Sequence, residues 1–331
     1  MNIAFFEFQN QDKNYIKKKL NGHNIKFFQE PIALENISKI KDFEIISIFI
    51  NSKIDKKLID KMPRLKLIAT ESTGVDHIDI TSCKKKKIAI SRIPLYGANT
   101  VAEHTFALLL CLSRNIFTAF RKNLRHDYTL SGLEGFDIKG KILGVIGTGN
   151  IGLHVIRIAH AFGMEILAYD VHQNSTLADI LGFAYVSLEE LLAQSDVVTI
   201  HVPYRKETHH LINTKTIHQM KKSSILINTS RGAIVDNDAL IEGLDTGILS
   251  GAGLDVIEGE ELIKEERQML HDSKKIENLG KLIKDHNLLS RDNVVFTPHI
   301  AFYSREAVER IFETNIQNIV SFIIGEPQNL I

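Results

Sequence analysis

Arg231, Glu260 and His299 are the polar residues whose types and positions could carry chemistry, because each stands just beyond a short apolar run that reads as a strand. A guanidinium stays charged at any working pH and can grip a carboxylate with two parallel hydrogen bonds. An imidazole gives and takes a proton near neutrality, and a carboxylate behind it fixes its orientation and favours its charged form. Together they could hold a small acid and move one proton at its carbonyl. Taken singly they carry less weight. The chain has 14 histidines, so a surface or core histidine is the default for any one of them. Glu260 stands beside Glu261 in a charged run, where a solvated face is the ordinary reading.

A stronger signal lies in KILGVIGTGNIGLHVIRIAHAFGMEILAYD, from Lys141 to Asp170. The apolar run Ile142, Leu143, Val145 and Ile146 stops at Gly147, and Ile151, Val155, Ile158, Ala159 and Phe162 then recur at helical spacing. Gly147, Gly149 and Gly152 have G-x-G-x-x-G spacing in the turn between strand and helix. Gly147 allows the sharp turn, Gly149 lets backbone approach a pyrophosphate, and Gly152 lets helix and strand pack closely. Asn150 and Ile151 open the helix, whose free N–H groups attract phosphate. A second strand, Ile166–Tyr169, ends on Asp170, placed to bind the adenosine ribose hydroxyls. The cofactor expected is NAD, because Asp170 repels a 2′-phosphate and Val171-His172-Gln173 offers no arginine to hold one.

These residues need a scaffold of alternating strands and helices. With 331 residues the chain has room for two α/β domains. Apolar runs at Ile3–Phe6, Ile25–Phe28, Ile45–Ile50, Leu65–Ile68 and Ile88–Ile90 alternate with helix-length polar stretches, as in a parallel sheet. Thr73-Gly74-Val75 follows the fourth run, where a small anion could meet backbone N–H groups, although taken alone the loop reads first as a simple turn. Asn99, Thr100 and Glu103 suggest a capping box opening a long helix, apolar on more than one face, that could bury itself or meet a second subunit. Within that helix Glu103 and His104 read as structural.

Further strands, Val197–Ile200, Ser224–Asn228, Ser250–Leu254 and Val294–Thr297, lead into His201-Val202-Pro203, Thr229-Ser230-Arg231, Asp255 and Pro298-His299. The charged interval Gly259–Asp292, with apolar residues too sparse for a core helix, reads as a solvated, partly helical excursion, and Ser304 as the N-cap of a last amphipathic helix. Basic and acidic residues number 40 each, which gives no bulk field for nucleic acid or an anionic membrane. Cys83 and Cys111 have no spacing for a disulfide framework or a zinc site, so no metal is expected. No basic leader and no run of membrane-spanning length is present, which points to the cytoplasm.

The motifs TGVDHID (Thr73), IPLYGANTVAEH (Ile93), GVIGTGNIG (Gly144), HVP (His201), INTSRGAIVD (Ile227), GLDVIEGE (Gly253) and TPHIAFYS (Thr297) occur in this order. From about Gly74 onward the chain resembles the D-isomer-specific 2-hydroxyacid dehydrogenases, most of all their D-lactate dehydrogenase branch. The resemblance implies that Arg231 binds substrate, that His299 is the general acid/base and that Glu260 is its partner. It further implies that Thr73, Gly74 and Val75 offer backbone donors to the substrate carboxylate, and that Tyr96 and Phe302 limit substrate size. Asp255 is expected on the nicotinamide side of the cofactor. His201, Val202, Pro203, Thr229 and Ser230 join the glycine turn around the rest of it.

The fold expected is two doubly wound parallel-sheet domains, α/β in class. One is a flavodoxin-like substrate domain, residues 1–97 with 301–331; the other is a Rossmann-type domain, residues 98–300, with the active site in the cleft. The reaction implied is NADH-dependent reduction of pyruvate to D-lactate and its reverse, by a homodimer joined through the long helix after Thr100. The alternatives are another small 2-oxoacid, such as glyoxylate, hydroxypyruvate or a branched-chain oxoacid, and a non-enzymatic NADH-sensing corepressor.

Overall fold

The computed structural model describes residues 1–8, 13–34, 37–259 and 279–331. The chain begins with β1 (Asn2–Phe5), α1 (Lys13–Lys19), β2 (Asn24–Phe27), α2 (Ile37–Ile40), β3 (Ile45–Ile48), α3 (Lys56–Asp60), β4 (Leu67–Thr70), α4 (Ile80–Lys85) and β5 (Ala89–Ser91). It continues with α5 (Ala98–Ser113), α6 (Ile116–Asn123), β6 (Ile142–Ile146), α7 (Asn150–Ala161), β7 (Glu165–Tyr169), α8 (Ser175–Leu181), β8 (Ala184–Tyr185) and α9 (Leu188–Gln194). β9 (Val197–Ile200), α10 (Thr214–Ile217), β10 (Ser224–Asn228), α11 (Asn237–Asp245) and β11 (Leu249–Leu254) follow. The described chain ends with α12 (Leu279–Leu289), β12 (Val294–Phe296) and α13 (Arg305–Ile323). Two compact units result, Met1–Gly97 with Ser304–Ile331, and Ala98–Tyr303.

In the first unit five parallel strands run in the order β2-β1-β3-β4-β5. Every residue of β3 and β4 is buried, as in a sheet covered on both faces. Ile316 and Ile319 of α13 cover Ile3, Phe5, Ile45, Leu67 and Ala69 on one face. Ile40, Leu58 and Ile59 cover Ile46, Ile48 and Ile68 on the other. The last residues add an antiparallel bridge, Ser91 to Leu330, at the free edge of β5. β4 starts at Leu67 and not at Leu65, because Leu65 closes the preceding turn by donating its N–H to Met62 O (3.2 Å).

The second unit holds a seven-stranded parallel sheet, β12-β11-β10-β9-β6-β7-β8. Its order reverses between β6 and β9, so a crevice opens there at the carboxyl ends of the strands. Phe106 and Leu109 of α5 pack with Val155, Ile156 and Ala159 of α7 on one face. Leu191, Leu192, Ile217, Leu240 and Leu288 fill the other.

The cap expected at Ser304 holds, its hydroxyl accepting from Ala307 N (3.1 Å), and Ser187 caps α9 in the same way through Glu190 N (3.1 Å). Two expectations are corrected. α5 starts at Ala98, so Thr100 is a buried residue of its first turn and not the cap of a capping box. Within Gly259–Asp292, α12 is a core helix with Leu288 wholly buried and Asp285 1% exposed, while the interval 260–278 lies outside the described residues. Among the described residues no helix is long and apolar enough to cross a membrane.

Candidate active site

The turn after β6 is shaped by close contacts that only hydrogen side chains allow. Gly147 has φ +99°, and a Cβ there would lie 2.8 Å from the carbonyl carbon of His201. A Cβ on Gly152 would lie 2.0 Å from Gly147 O. Gly149, which caps α7, has nothing within 4 Å of a Cβ position, and Asn150 and Ile151 follow it into the helix. The open space therefore stands over a helix N-terminus, the arrangement that takes a pyrophosphate. Asp170 is fixed beside it: Thr148 N–H and hydroxyl donate to Oδ2 (2.7 and 3.2 Å), and His172 N–H donates to Oδ1 (2.9 Å).

β9 is followed by His201, whose N–H donates to Ile146 O (2.7 Å) and whose Nε2 meets Thr199 Oγ1 at 2.9 Å. Burial pushes its imidazole down to about 3, so it is neutral throughout the working range. The Ser230 hydroxyl donates to Val202 O, joining the loops after β9 and β10, and Pro203 is exposed. Thr229 Oγ1 lies 3.1 Å from Thr105 Oγ1 of α5.

Arg231 sits in a loop pinned by Asn228, the last residue of β10 and only 1% exposed. Asn228 Oδ1 accepts from Ser230 N, and its Nδ2 donates to Arg231 O (3.0 Å each). The guanidinium donates to Ser230 O at 2.9 Å. A Cβ on Gly232 would lie 2.2 Å from the carbonyl group of Ile257, so the Arg231 loop lies directly on the segment leading toward residue 260. Asn237 Nδ2 holds that segment from the other side through Glu258 O (3.1 Å). Glu260 itself lies outside the described residues.

His299 follows β12 with φ +57°, in the left-handed region. Its N–H donates to Asp255 O (2.8 Å) and to Thr297 O (2.9 Å). Asp255, 1% exposed at the end of β11, turns its carboxylate into the same loop. Oδ1 accepts from the Thr297 hydroxyl (2.6 Å) and Ile300 N (2.9 Å), and Oδ2 from Ala301 N (2.9 Å). His104 Nε2, from α5, lies 2.9 Å from Thr297 Oγ1 and 3.6 Å from Asp255 Oδ1. Phe302 is half-buried with its ring edge-on to Tyr303.

The second unit thus brings together the glycine turn, Asp170, His201, Arg231, Asp255 and His299 along one sheet edge, with Arg231 and His299 in the loops that follow the two strands flanking β11. Thr73, Gly74, Val75 and Tyr96 belong to the first unit. There Thr73 Oγ1 donates to Ile93 O and Ser72 Oγ to Gly74 O (2.7 Å each), which shapes the loop after β4. The N–H groups of Thr73, Gly74 and Val75 donate to no acceptor among the described residues. Asn228 and Thr297 escaped the sequence reading. Their only signal was position, a short polar residue at a strand end within a motif.

A family model for the D-isomer specific 2-hydroxyacid dehydrogenase, NAD binding domain, matches residues 106–301. The D-lactate dehydrogenase of Escherichia coli is 32% identical over the full length of both chains. The glyoxylate reductase of Thermococcus litoralis is 35% identical, covering 96% of this chain and 93% of the relative. Among solved structures, D-lactate dehydrogenase from Aquifex aeolicus complexed with NAD and lactic acid aligns with a TM-score of 0.90 and 39% identity, covering 98% of this chain and 96% of that one.

Proposed function

Because this chain belongs to the D-isomer specific 2-hydroxyacid dehydrogenases, NAD-linked oxidoreductases, we propose that it is a D-lactate dehydrogenase reducing pyruvate. One observation carries the proposal: Arg231 and His299 leave the strands on either side of β11, at the sheet edge that holds the open turn at Gly149. In this reading Gly147, Gly149, Asn150, Ile151 and Gly152 hold the cofactor's pyrophosphate, and Asp170 its ribose. Bound NADH supplies the hydride. Arg231 grips the substrate carboxylate, with the free N–H groups of Thr73, Gly74 and Val75 as further donors. His299 gives its proton to the carbonyl oxygen during reduction and takes one from the hydroxyl during oxidation, with Glu260 as its partner. His201, neutral and buried, adds no charge beside the cofactor. Asp255 serves the nicotinamide side by holding the Thr297–Ala301 turn.

Pyruvate is favoured over larger oxoacids by Tyr96 and Phe302, aromatic residues in motifs shared with the lactate branch. Glyoxylate stands second, since a glyoxylate reductase is a comparably similar relative. The reading includes a homodimer, but with its surface moved. α5 exposes Asn99, Glu103 and Ala107 but no large apolar residue, whereas Ile116, Phe117 and Phe120 of α6, with Leu124, Tyr128, Leu130 and Phe136 beyond it, are exposed large apolar residues. It also includes the cytoplasm, where an NADH-linked reductase meets its cofactor pool.

The test is NADH oxidation by the purified protein with pyruvate, glyoxylate, hydroxypyruvate, 2-oxoisocaproate and phenylpyruvate, with chiral analysis of the product. The expected result is the highest kcat/KM on pyruvate, D-lactate as product, and a shift toward larger oxoacids in Phe302→Ala. NADH binding without turnover on any oxoacid would instead favour a nucleotide-sensing corepressor.

A further inference from the structure

His299 adopts a conformation that its own side chain disfavours. A non-glycine residue in the left-handed region is strained, and it persists only where its surroundings hold it. Here the holder is Asp255, which accepts the N–H of His299 at its carbonyl and the N–H groups of Ile300 and Ala301 at its carboxylate. Oδ1 takes one more donor, the Thr297 hydroxyl. An ionised carboxylate only accepts, so the single proton of Thr297 Oγ1 is committed to Asp255. The hydroxyl then has only lone pairs left for His104, whose Nε2 must carry the proton between them. Burial lowers the pKa of His104 while Asp255 opposes the shift, and the donor sits on Nε2 whether the ring is neutral or charged.

We propose that His104 and Thr297 are positioning residues for His299, acting through Asp255. The chain of donors, His104 to Thr297 to Asp255, fixes the rotamer of a carboxylate that is 1% exposed, and that carboxylate fixes the turn carrying the acid/base. α5 is anchored in the core of its unit by Phe106 and Leu109, so the His104 contact with Thr297 is made from a rigid element. This inference rests on the reading of His299 as the acid/base. It assigns work to a helix residue that the reaction itself does not touch.

The experiment compares Thr297→Val, Thr297→Ser, His104→Phe, His104→Gln and His299→Gln in the full chain. For each it measures kcat and KM for pyruvate, NADH affinity by fluorescence, and thermal stability. Displacement of a reacting group by about an ångström costs on the order of a hundredfold in rate. Thr297→Val is therefore expected to lower kcat by about ten- to a hundredfold with NADH affinity within twofold of the parent, and His104→Phe to lower it less. Thr297→Ser and His104→Gln keep a donor at the same place and restore kcat to within about threefold. Parental kcat in Thr297→Val and His104→Phe beside an inactive His299→Gln would overturn the positioning role alone. Loss of NADH binding and stability together with kcat, unrelieved by the Ser and Gln variants, would mark the pair as packing residues and overturn it too. An active His299→Gln would instead defeat the acid/base reading beneath it.

Discussion

Glu71 is a titratable group that the proposed chemistry leaves unused. It follows β4, and its Oε1 accepts from Ser47 Oγ and Asn315 Nδ2, 3.0 Å each. Burial pushes its carboxyl up to about 7, and the neighbouring Glu7 adds to the effect. Its folded pKa lies above the unfolded value, so the folded chain keeps a proton that the unfolded chain has lost. The cost is absent below the unfolded value near 4.5, grows as pH rises, and is complete above about 7. Glu71 keeps partial solvent exposure, so we put the full cost at about 1–2 kcal/mol, below what the shift alone gives. Glu71→Gln is expected to stabilise the protein by that amount at pH 8 and hardly at all at pH 4.5, as read by urea unfolding. An equal effect at both pH values would show that Glu71 ionises freely. No local pattern marks Glu71 as enclosed, since Ser47 and Asn315 reach it from distant parts of the chain. The positions of Arg231 and His299 just beyond their strands were legible because a motif and a strand end coincide at each.

Elements were legible where composition alone decides them. β10, five consecutive buried residues, appears with the bounds expected, because a strand covered on both faces needs an unbroken small or apolar run. The core role of α12, in an interval expected to be partly helical but solvated, was missed because its contribution comes from a few residues, Leu288 among them, inside a charged stretch. β8 was missed outright: two residues pairing with β7 leave no periodicity to read. The glycine turn separates two roles that the sequence shows as one motif. Gly149→Ala meets open space at an ordinary φ of −70°, so it is expected to fold with an unchanged melting temperature. The added methyl enters the proposed pyrophosphate space, and NADH affinity should fall at least tenfold by calorimetry. Gly152→Ala collides with Gly147 O and is expected to destabilise the protein by several kcal/mol. If both variants bound NADH normally, the turn would not be the cofactor's cradle.

At the scale of the molecule, which apolar side chains stay exposed could not be read from residue order, whereas the resemblance already implied a first unit drawn from both ends of the chain. Phe120 is 57%, Leu124 67% and Leu130 85% exposed, and replacing Phe120 and Leu130 together by Glu should convert the proposed dimer to a monomer in sedimentation velocity. An unchanged mass would place the subunit surface elsewhere. The first unit takes its covering helix α13 and its edge bridge at Leu330 from beyond the whole second unit. That division sets a timetable on the ribosome. At about 5–20 residues per second, roughly ten to forty seconds separate the emergence of Gly97 from that of Ser304. Throughout that interval the nascent sheet has Ile3, Phe5, Ile45 and Leu67 without the helix that covers them, while the second unit is completed as one continuous stretch. The newborn chain therefore passes through a stage in which its later half is folded and its earlier half waits, with an apolar face that a ribosome-associated chaperone can shield.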